Sequence, residues 1–303
     1  GTAQNYFMSD NSSSGNGGWT NIKFNEIDLG ERIGGGGVGV IYKGWFNGES
    51  VALKTLFDSR ISEDLKSEYM NELLVMSKVK HSNIVRFIGA CMTPPNLCFV
   101  MELCECSLYQ LLHVERAHFT MRVNIQMAID VGSAMEYLHS LSPAIIHRDL
   151  KSLNILRSFN GSLKLCDFGL VKNKNTTAGT PAYMAPELLE NRSFNKSVDV
   201  YAFGILLWEL LSGSIPFHHL SIADIRQRVL EGGRPPTNYS TFNRRNLQLI
   251  NNCWHQNAES RPSFSEVVDE LLDMEKDLPE ESKLESHKDA YHDSLEDLVG
   301  KRK

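Results

Sequence analysis

Near Ser107 the chain changes its hydrophobic period. Before that point the apolar residues fall in short β-branched runs. DLGERIGGGGVGVIYKGWF leads through the Asn47-Gly48 turn into ESVALKTLF, and NIVRFIGA and LCFVMELC follow His81. Asn-Gly between two such runs is a strong hairpin signal. Only EDLKSEYMNELLVMSKV breaks the series with helical spacing: Leu65, Tyr69, Met76 and Val79 form one stripe, with Glu72 in its middle. After Ser107 the period is helical to about Met274, interrupted by one small hairpin in which Asn160-Gly161 joins LNILRSF to SLKLCDF. The pattern predicts an α+β chain with a β-rich amino-terminal lobe and an α-rich carboxy-terminal lobe.

The 303 residues suffice for one large or two ordinary domains, and 42% hydrophobic with 22% charged residues is the composition of a chain with a real core. Flanking segments read differently. Residues 1–24, with SSSGNGG, read as a flexible tail, and residues 277–303 as a charged tail or docking helix. Between them lies a domain over 25–276, divided into a first lobe at 25–103, a connection at 102–106 and a second lobe at 107–276. No repeat of fixed period is visible.

A net charge of −6 provides no basic field for nucleic acid, so any anionic ligand must be held by local groups. Six cysteines without a C-x-x-C pair predict reduced thiols in a cytoplasmic protein. No charged-then-apolar leader is read at the start. The longest apolar run, Val200 to Leu211, carries Glu209 and is shorter than the ~20 residues of a membrane span, so it predicts a buried helix.

The chemistry concentrates in a few stretches. Gly34, Gly36 and Gly39 have a spacing shared with dinucleotide-binding turns, but such a turn opens a helix. Here Val40, Ile41 and Tyr42 continue as a strand, so the glycines join two antiparallel strands and can present bare N–H groups to phosphates. In VALK, strand alternation turns Lys54 away from the side of Val51 and Leu53. Its ammonium can meet Glu72, a carboxylate that needs a partner on a buried stripe. HRDLKSLNIL then places an acid, a lysine and an amide between isoleucine pairs. Asp149 can accept a proton from an attacking hydroxyl, Lys151 can neutralise charge on a transferred phosphoryl group, and Asn154 can offer an oxygen to magnesium. Asp167, before Phe168-Gly169, offers a harder metal ligand.

Taken in order, IGGGGVGVIYKG, VALK, Glu72, HRDLKSLNIL, DFG (Asp167 to Gly169), APE (Ala185 to Glu187), DVYAFG (Asp199 to Gly204) and Arg261-Pro262 resemble the signature of eukaryotic protein kinases over roughly Ile27 to Met274. HRDLKSLN and MELCECSLYQLL are most similar to the tyrosine-kinase-like group, which includes Raf-like and mixed-lineage kinases. The resemblance implies a bilobal fold, ATP and Mg²⁺ as cofactors, and transfer of the γ-phosphoryl group to protein substrates. It implies a nucleotide pocket walled by Ile33, Ile41, Ala52 and Leu156, with Met101 at the gatekeeper position and Glu102, Leu103 and Cys104 as hinge. Lys151 two residues after Asp149, together with Thr180 before APE, implies serine or threonine as acceptor. Met76, Phe87, His147 and Phe168 match an interlobe apolar stack anchored by Asp199, and Glu187 and Arg261 match a buried ion pair.

Departures from the pattern are Val38, where an aromatic often tips the glycine loop, and Cys106, where glycine is common. Cys166 reads either as a thiol facing the nucleotide or as a buried, inert one. Arg148 and the activation-segment residues Thr176 and Thr177 imply regulation by phosphorylation, from an upstream kinase or in trans between copies. Dual specificity, a scaffold without turnover and a small-molecule kinase of related fold remain as alternatives; the five residues Lys54, Glu72, Asp149, Asn154 and Asp167 speak against the second, and GTPAYMAPE against the third.

Overall fold

A computed structural model describes residues 19–36, 39–56, 70, 73–93, 95–167 and 180–279. The first lobe is a six-stranded sheet in the order β1-β5-β6-β4-β3-β2. Its strands are β1 (Thr20–Asn21), β2 (Ile27–Gly36), β3 (Gly39–Phe46), β4 (Glu49–Leu56), β5 (Phe87–Cys91) and β6 (Leu97–Glu102). All neighbours pair antiparallel except β1, which lies parallel to β5. The β3–β4 hairpin closes through Asn47 and Gly48 with φ of 50° and 80°, the left-handed pair that a tight hairpin needs. The glycine-bearing strands pair directly, Gly34 with Ile41 and Gly36 with Gly39, as the strand continuation predicts.

Register sorts this sheet into two faces. Val51, Leu53, Cys98 and Val100 form a small core with Ile22 and Ile27. The pairings Ile41 with Lys54, Lys54 with Phe99 and Ala52 with Met101 put these residues on the opposite face, because side chains directly across an antiparallel pair share a side. Residues 73–76 are helical and place Leu73 and Met76 in the main core.

The second lobe opens with a short sheet of β7 (Cys106–Ser107), β8 (Ile155–Arg157) and β9 (Leu163–Leu165), the latter two being the hairpin read around Asn160-Gly161. Among the described residues six α-helices follow, numbered by chain order: α1 (Met121–Ser140), α2 (Pro186–Leu189), α3 (Ser197–Ser212), α4 (Ile222–Leu230), α5 (Arg244–Cys253) and α6 (Phe264–Lys276). Thr120 starts α1 by accepting from the Val123 N–H, and Ser263 with Glu266 forms a capping box at α6. The apolar run of the sequence is α3, buried from Val198 to Leu211 at the centre of the lobe. No described helix is long and apolar enough to cross a membrane.

Gly204 lets α3 approach the end of α5. A Cβ there would stand 2.9 Å from Cys253 Cβ and 3.0 Å from the Trp254 backbone nitrogen, and a backbone atom cannot rotate away. Gly204→Ala is therefore expected to lose about 1–3 kcal/mol to overpacking, read as a lower thermal midpoint. An unchanged midpoint would show that α5 shifts freely.

Candidate active site

The site is built on one buried carboxylate. Asp199, in the first turn of α3 and fully buried, accepts from the backbone N–H of His147 and of Arg148 at 2.8 Å each, and bonds His139 Nε2 at 2.9 Å. These bonds hold Arg148 at φ 65°, a left-handed conformation that a long side chain adopts only when its surroundings over-determine it. Burial holds the His147 imidazole below its ordinary pKa, so it is neutral. Its Nδ1 accepts from the Asp149 N–H at 3.2 Å, which leaves Nε2 to donate to the Cys166 carbonyl at 3.0 Å. One ring thus fixes the spacing between the loop of Asp149 and the residue preceding Asp167.

The side chains named from HRDLKSLNIL converge. Lys151 Nζ lies 3.0 Å from Asp149 Oδ2 and donates to Thr180 Oγ1 at 3.3 Å. Asn154 donates through Nδ2 to the Asp149 carbonyl at 2.8 Å and to Oδ2 at 3.1 Å, so its amide oxygen is the atom available to a cation. The Asn154 carbonyl accepts from the Cys166 N–H at 3.0 Å and ties that amide to the segment carrying Asp167.

Across the cleft, Lys54 Nζ bonds Asp167 Oδ1 at 2.9 Å. The expected partner, Glu72, lies outside the described residues, as do Phe168, Val38, Thr176 and Thr177. Close packing on one side would push the Asp167 pKa up. The Lys54 ammonium and its hydrogen bond, with His147 and Lys151 nearby, outweigh this and hold it below the usual carboxylate range. With 45% of its side-chain surface open to the cleft, the carboxylate is not sealed off. Its contribution to stability is present above the ordinary aspartate pKa and lost as pH falls through the depressed one.

Four of the residues expected to wall a nucleotide share one face. Ile41, Ala52, Lys54 and Met101 share the cleft side of the sheet by register, while Ile33 is exposed near the glycine turn. Leu156 lies on β8 opposite Ser107. The Glu102 carboxylate turns to Lys164 Nζ at 3.0 Å and accepts from the Arg86 N–H at 2.6 Å. Leu103 and Cys104 follow it into the second lobe.

A family model for protein tyrosine and serine/threonine kinases matches residues 27–271. The chain belongs to the protein kinase family. Among its relatives, the serine/threonine-protein kinase STY46 of Arabidopsis thaliana is 36% identical over 267 residues, covering 86% of this chain and 46% of that protein. The serine/threonine-protein kinase CTR1 of the same plant is 36% identical over 260 residues, 82% of this chain and 32% of the relative. The dual specificity protein kinase shkC of Dictyostelium discoideum is 37% identical over 262 residues, covering 82% and 52%. The chain thus spans about half or less of the length of these kinases.

One part of this kinase's polar architecture escaped the sequence reading. Glu209, fully buried in α3, accepts through Oε1 from His113 Nε2 and Ser152 Oγ, both at 2.7 Å, and through Oε2 from the Tyr183 hydroxyl at 2.5 Å. Ser152 belongs to the loop of Asp149, and Tyr183 follows Thr180 in a short 3₁₀ turn. The signal was visible as the lone acid in an apolar run, but its partners are distant in sequence. Cysteine chemistry is muted by contrast. Burial pushes the Cys104 and Cys106 thiols up to about 12 and the Cys166 thiol well above its ordinary value.

Proposed function

We propose that this kinase domain transfers the γ-phosphoryl group of ATP to serine or threonine hydroxyls of protein substrates. The observation that carries the reading is the cluster of Asp149, Lys151, Asn154 and Thr180 within hydrogen-bond reach of one another, facing the Lys54–Asp167 pair. In this reading Asp149 takes the proton of the attacking hydroxyl. Lys151 lies where charge builds on the transferred oxygens, and Thr180 keeps Lys151 in place and leaves room for a short acceptor side chain. Lys54 grips nucleotide phosphate, with Glu72 as its partner in the proposal, and the Gly34, Gly36 and Gly39 turn covers the phosphates. Ile33, Ile41, Ala52, Met101 and Leu156 enclose the base, and the backbone from Glu102 to Cys104 binds its edge.

The oxygen donors of Asp167 and Asn154 fit Mg²⁺, which is held by one or two carboxylates together with substrate phosphates. Bound there, the ion would neutralise charge on the phosphates. The chain's own part is to present those two oxygens at a fixed spacing, through the Asn154 to Cys166 backbone bond.

Regulation belongs to the same proposal. Arg148 packs over the Phe194 ring at 5.3 Å, and its buried Nε has no hydrogen-bond partner among the described residues. A phosphate on Thr176 or Thr177, placed by an upstream kinase or by a second copy, would supply that partner. Six free thiols suit a reducing, cytoplasmic setting.

The deciding experiment supplies γ-labelled ATP and Mg²⁺ with an acidic and a basic carrier protein, and identifies the labelled residue after acid hydrolysis. Label on serine or threonine supports the proposal. Additional label on tyrosine would extend it to dual specificity, as the name of the Dictyostelium relative suggests. No label above an Asp149→Asn control, even after treatment with an activating kinase, would overturn it in favour of a scaffold.

A further inference from the structure

The carboxy-terminal lobe carries a second concavity. A pocket of about 800 Å³ opens between the turn after residues 110–114, the end of α3 and the segment through α4 to Tyr239. Its volume is in the range of ligand-binding clefts and far exceeds what a single inorganic anion fills. Trp208 and Tyr239, packed edge to face at 5.9 Å, provide an apolar wall.

The charged side chains of the lining are all basic. Arg116, Arg228, His118, His218 and His219 contribute to it, and no aspartate or glutamate does, although the chain as a whole has a net charge of −6. Three other arginines of the lobe are engaged: Arg245 with Glu270 and Asp273, Arg261 with Glu187, and Arg122 with the Leu278 carbonyl. Arg234, also on the pocket, is engaged by the Trp254 carbonyl. Among the described residues Arg116 and Arg228 have no such acceptor, and both guanidiniums are solvent-exposed. Solitary exposed arginines are ordinary, but two that share a concavity with no acid in its lining make a local positive field. Arg116 and Phe217, both in the lining, hold left-handed backbone at φ 54° and 56°, a conformation that non-glycine residues keep only where the surroundings enforce it.

The pocket is coupled to the catalytic loop. His113, on its wall, bonds Glu209, and the same carboxylate takes the Ser152 and Tyr183 hydroxyls. One buried acid therefore braces the pocket, the loop of Asp149 and the turn after Thr180. Asp149 and this concavity belong to the same lobe and are linked through Glu209.

We infer that the pocket receives an acidic stretch of the protein substrate, carrying carboxylates or a phosphate, at a distance along the chain from the hydroxyl that is phosphorylated. The inference rests on the kinase reading above and adds to it the class of substrate. Charge complementarity favours an anionic peptide over a basic one. The negative charge of the whole chain disfavours a nucleic acid, which is bound through extended basic surfaces.

Two serine peptides of equal length test this, one with aspartates flanking the serine on both sides and one with asparagines in their place. Their kcat/KM values are compared as a ratio in the wild type, in Arg116→Gln/Arg228→Gln and in Arg116→Lys/Arg228→Lys. The wild-type ratio is expected to favour the acidic peptide about fivefold to tenfold, carried in KM, since each exposed charge pair contributes a factor of a few. It should fall to near one in the glutamine variant and return in the lysine variant. Replacing one aspartate by phosphoserine separates carboxylate from phosphate recognition. A ratio near one in the wild type, or an acidic preference that survives in the glutamine variant, would overturn the pocket assignment and leave the kinase reading standing.

If no peptide is phosphorylated, fluorescence anisotropy of the labelled acidic peptide still decides. Binding weakened about fivefold or more in the glutamine variant supports the pocket. Equal binding in both proteins, or tighter binding of a single-stranded oligonucleotide than of the peptide, overturns it.

Discussion

Asp149→Asn is expected to fold like the wild type and to transfer phosphate roughly a hundred to ten thousand times more slowly, the range a positioned general base supplies. The two side chains have the same shape. The asparagine oxygen can still accept from Lys151 and Asn154, which bond the aspartate at 3.0 and 3.1 Å, so the loop keeps its geometry. What is lost is the basicity that takes the acceptor's proton and the charge that balances Lys151. The check is kcat at saturating ATP beside a thermal midpoint for each protein. A rate within tenfold of the wild type would remove Asp149 from the role of base, and a midpoint lowered by many degrees would assign the loss to folding. Lys54→Met is expected to act alike through the nucleotide, because it strips the ammonium from Asp167 at the mouth of the cleft. Its effect should appear partly in KM for ATP, which the Asp149 substitution should spare.

Much of this arrangement was legible because it is local. The Asn47-Gly48 and Asn160-Gly161 turns announce their hairpins, since the left-handed backbone they need is available to few residue types. Alternation along VALK predicts which side of the sheet carries Lys54, because the strand period is two and Val51 and Leu53 must be buried together. The convergence of Asp149, Lys151 and Asn154 follows from their closeness in sequence. Asp167 was read as a metal ligand from its place after the hairpin and before Phe168-Gly169, whereas Thr180 was placed with them through resemblance, and no local rule would have done so.

The remainder depends on contacts between residues far apart in the chain. Asp199 is an unremarkable acid in sequence, and its meaning comes from two backbone amides some fifty residues earlier. Glu209 reads only as a blemish in an apolar run. Its three hydroxyl and imidazole partners come from three separate segments, and a buried carboxylate is tolerable only when such partners arrive. The basic pocket is legible least of all: Arg116 and Arg228 are more than a hundred residues apart, and nothing in either neighbourhood announces a shared cavity.

The Glu187–Arg261 pair leads to the second large effect. Arg261 reaches Glu187 through two parallel bonds of 2.6 and 3.0 Å and donates to the His255 carbonyl at 2.8 Å, with its guanidinium over the Tyr201 ring at 5.2 Å. Its side chain is fully buried and that of Glu187 is 7% exposed, so solvent screens little. Arg261→Met would leave an uncompensated carboxylate and an orphaned carbonyl in the lobe, and is expected to cost about 3–5 kcal/mol, a large share of the ~5–15 kcal/mol of a typical domain. Glu187→Gln should cost less, because the neutral amide still accepts and Arg261 keeps its carbonyls. The double variant Glu187→Gln/Arg261→Met should be more stable than the sum of the two losses implies, since removing both charges removes the desolvation penalty. Urea unfolding midpoints of the three variants measure these differences. A loss below about 1 kcal/mol in Arg261→Met, or strictly additive costs, would mean that the pair is no more than a surface contact. Because Glu187 opens α2 directly after the Thr180 turn, the same variants should also raise KM for the protein substrate, and kcat should follow only where the turn itself loosens.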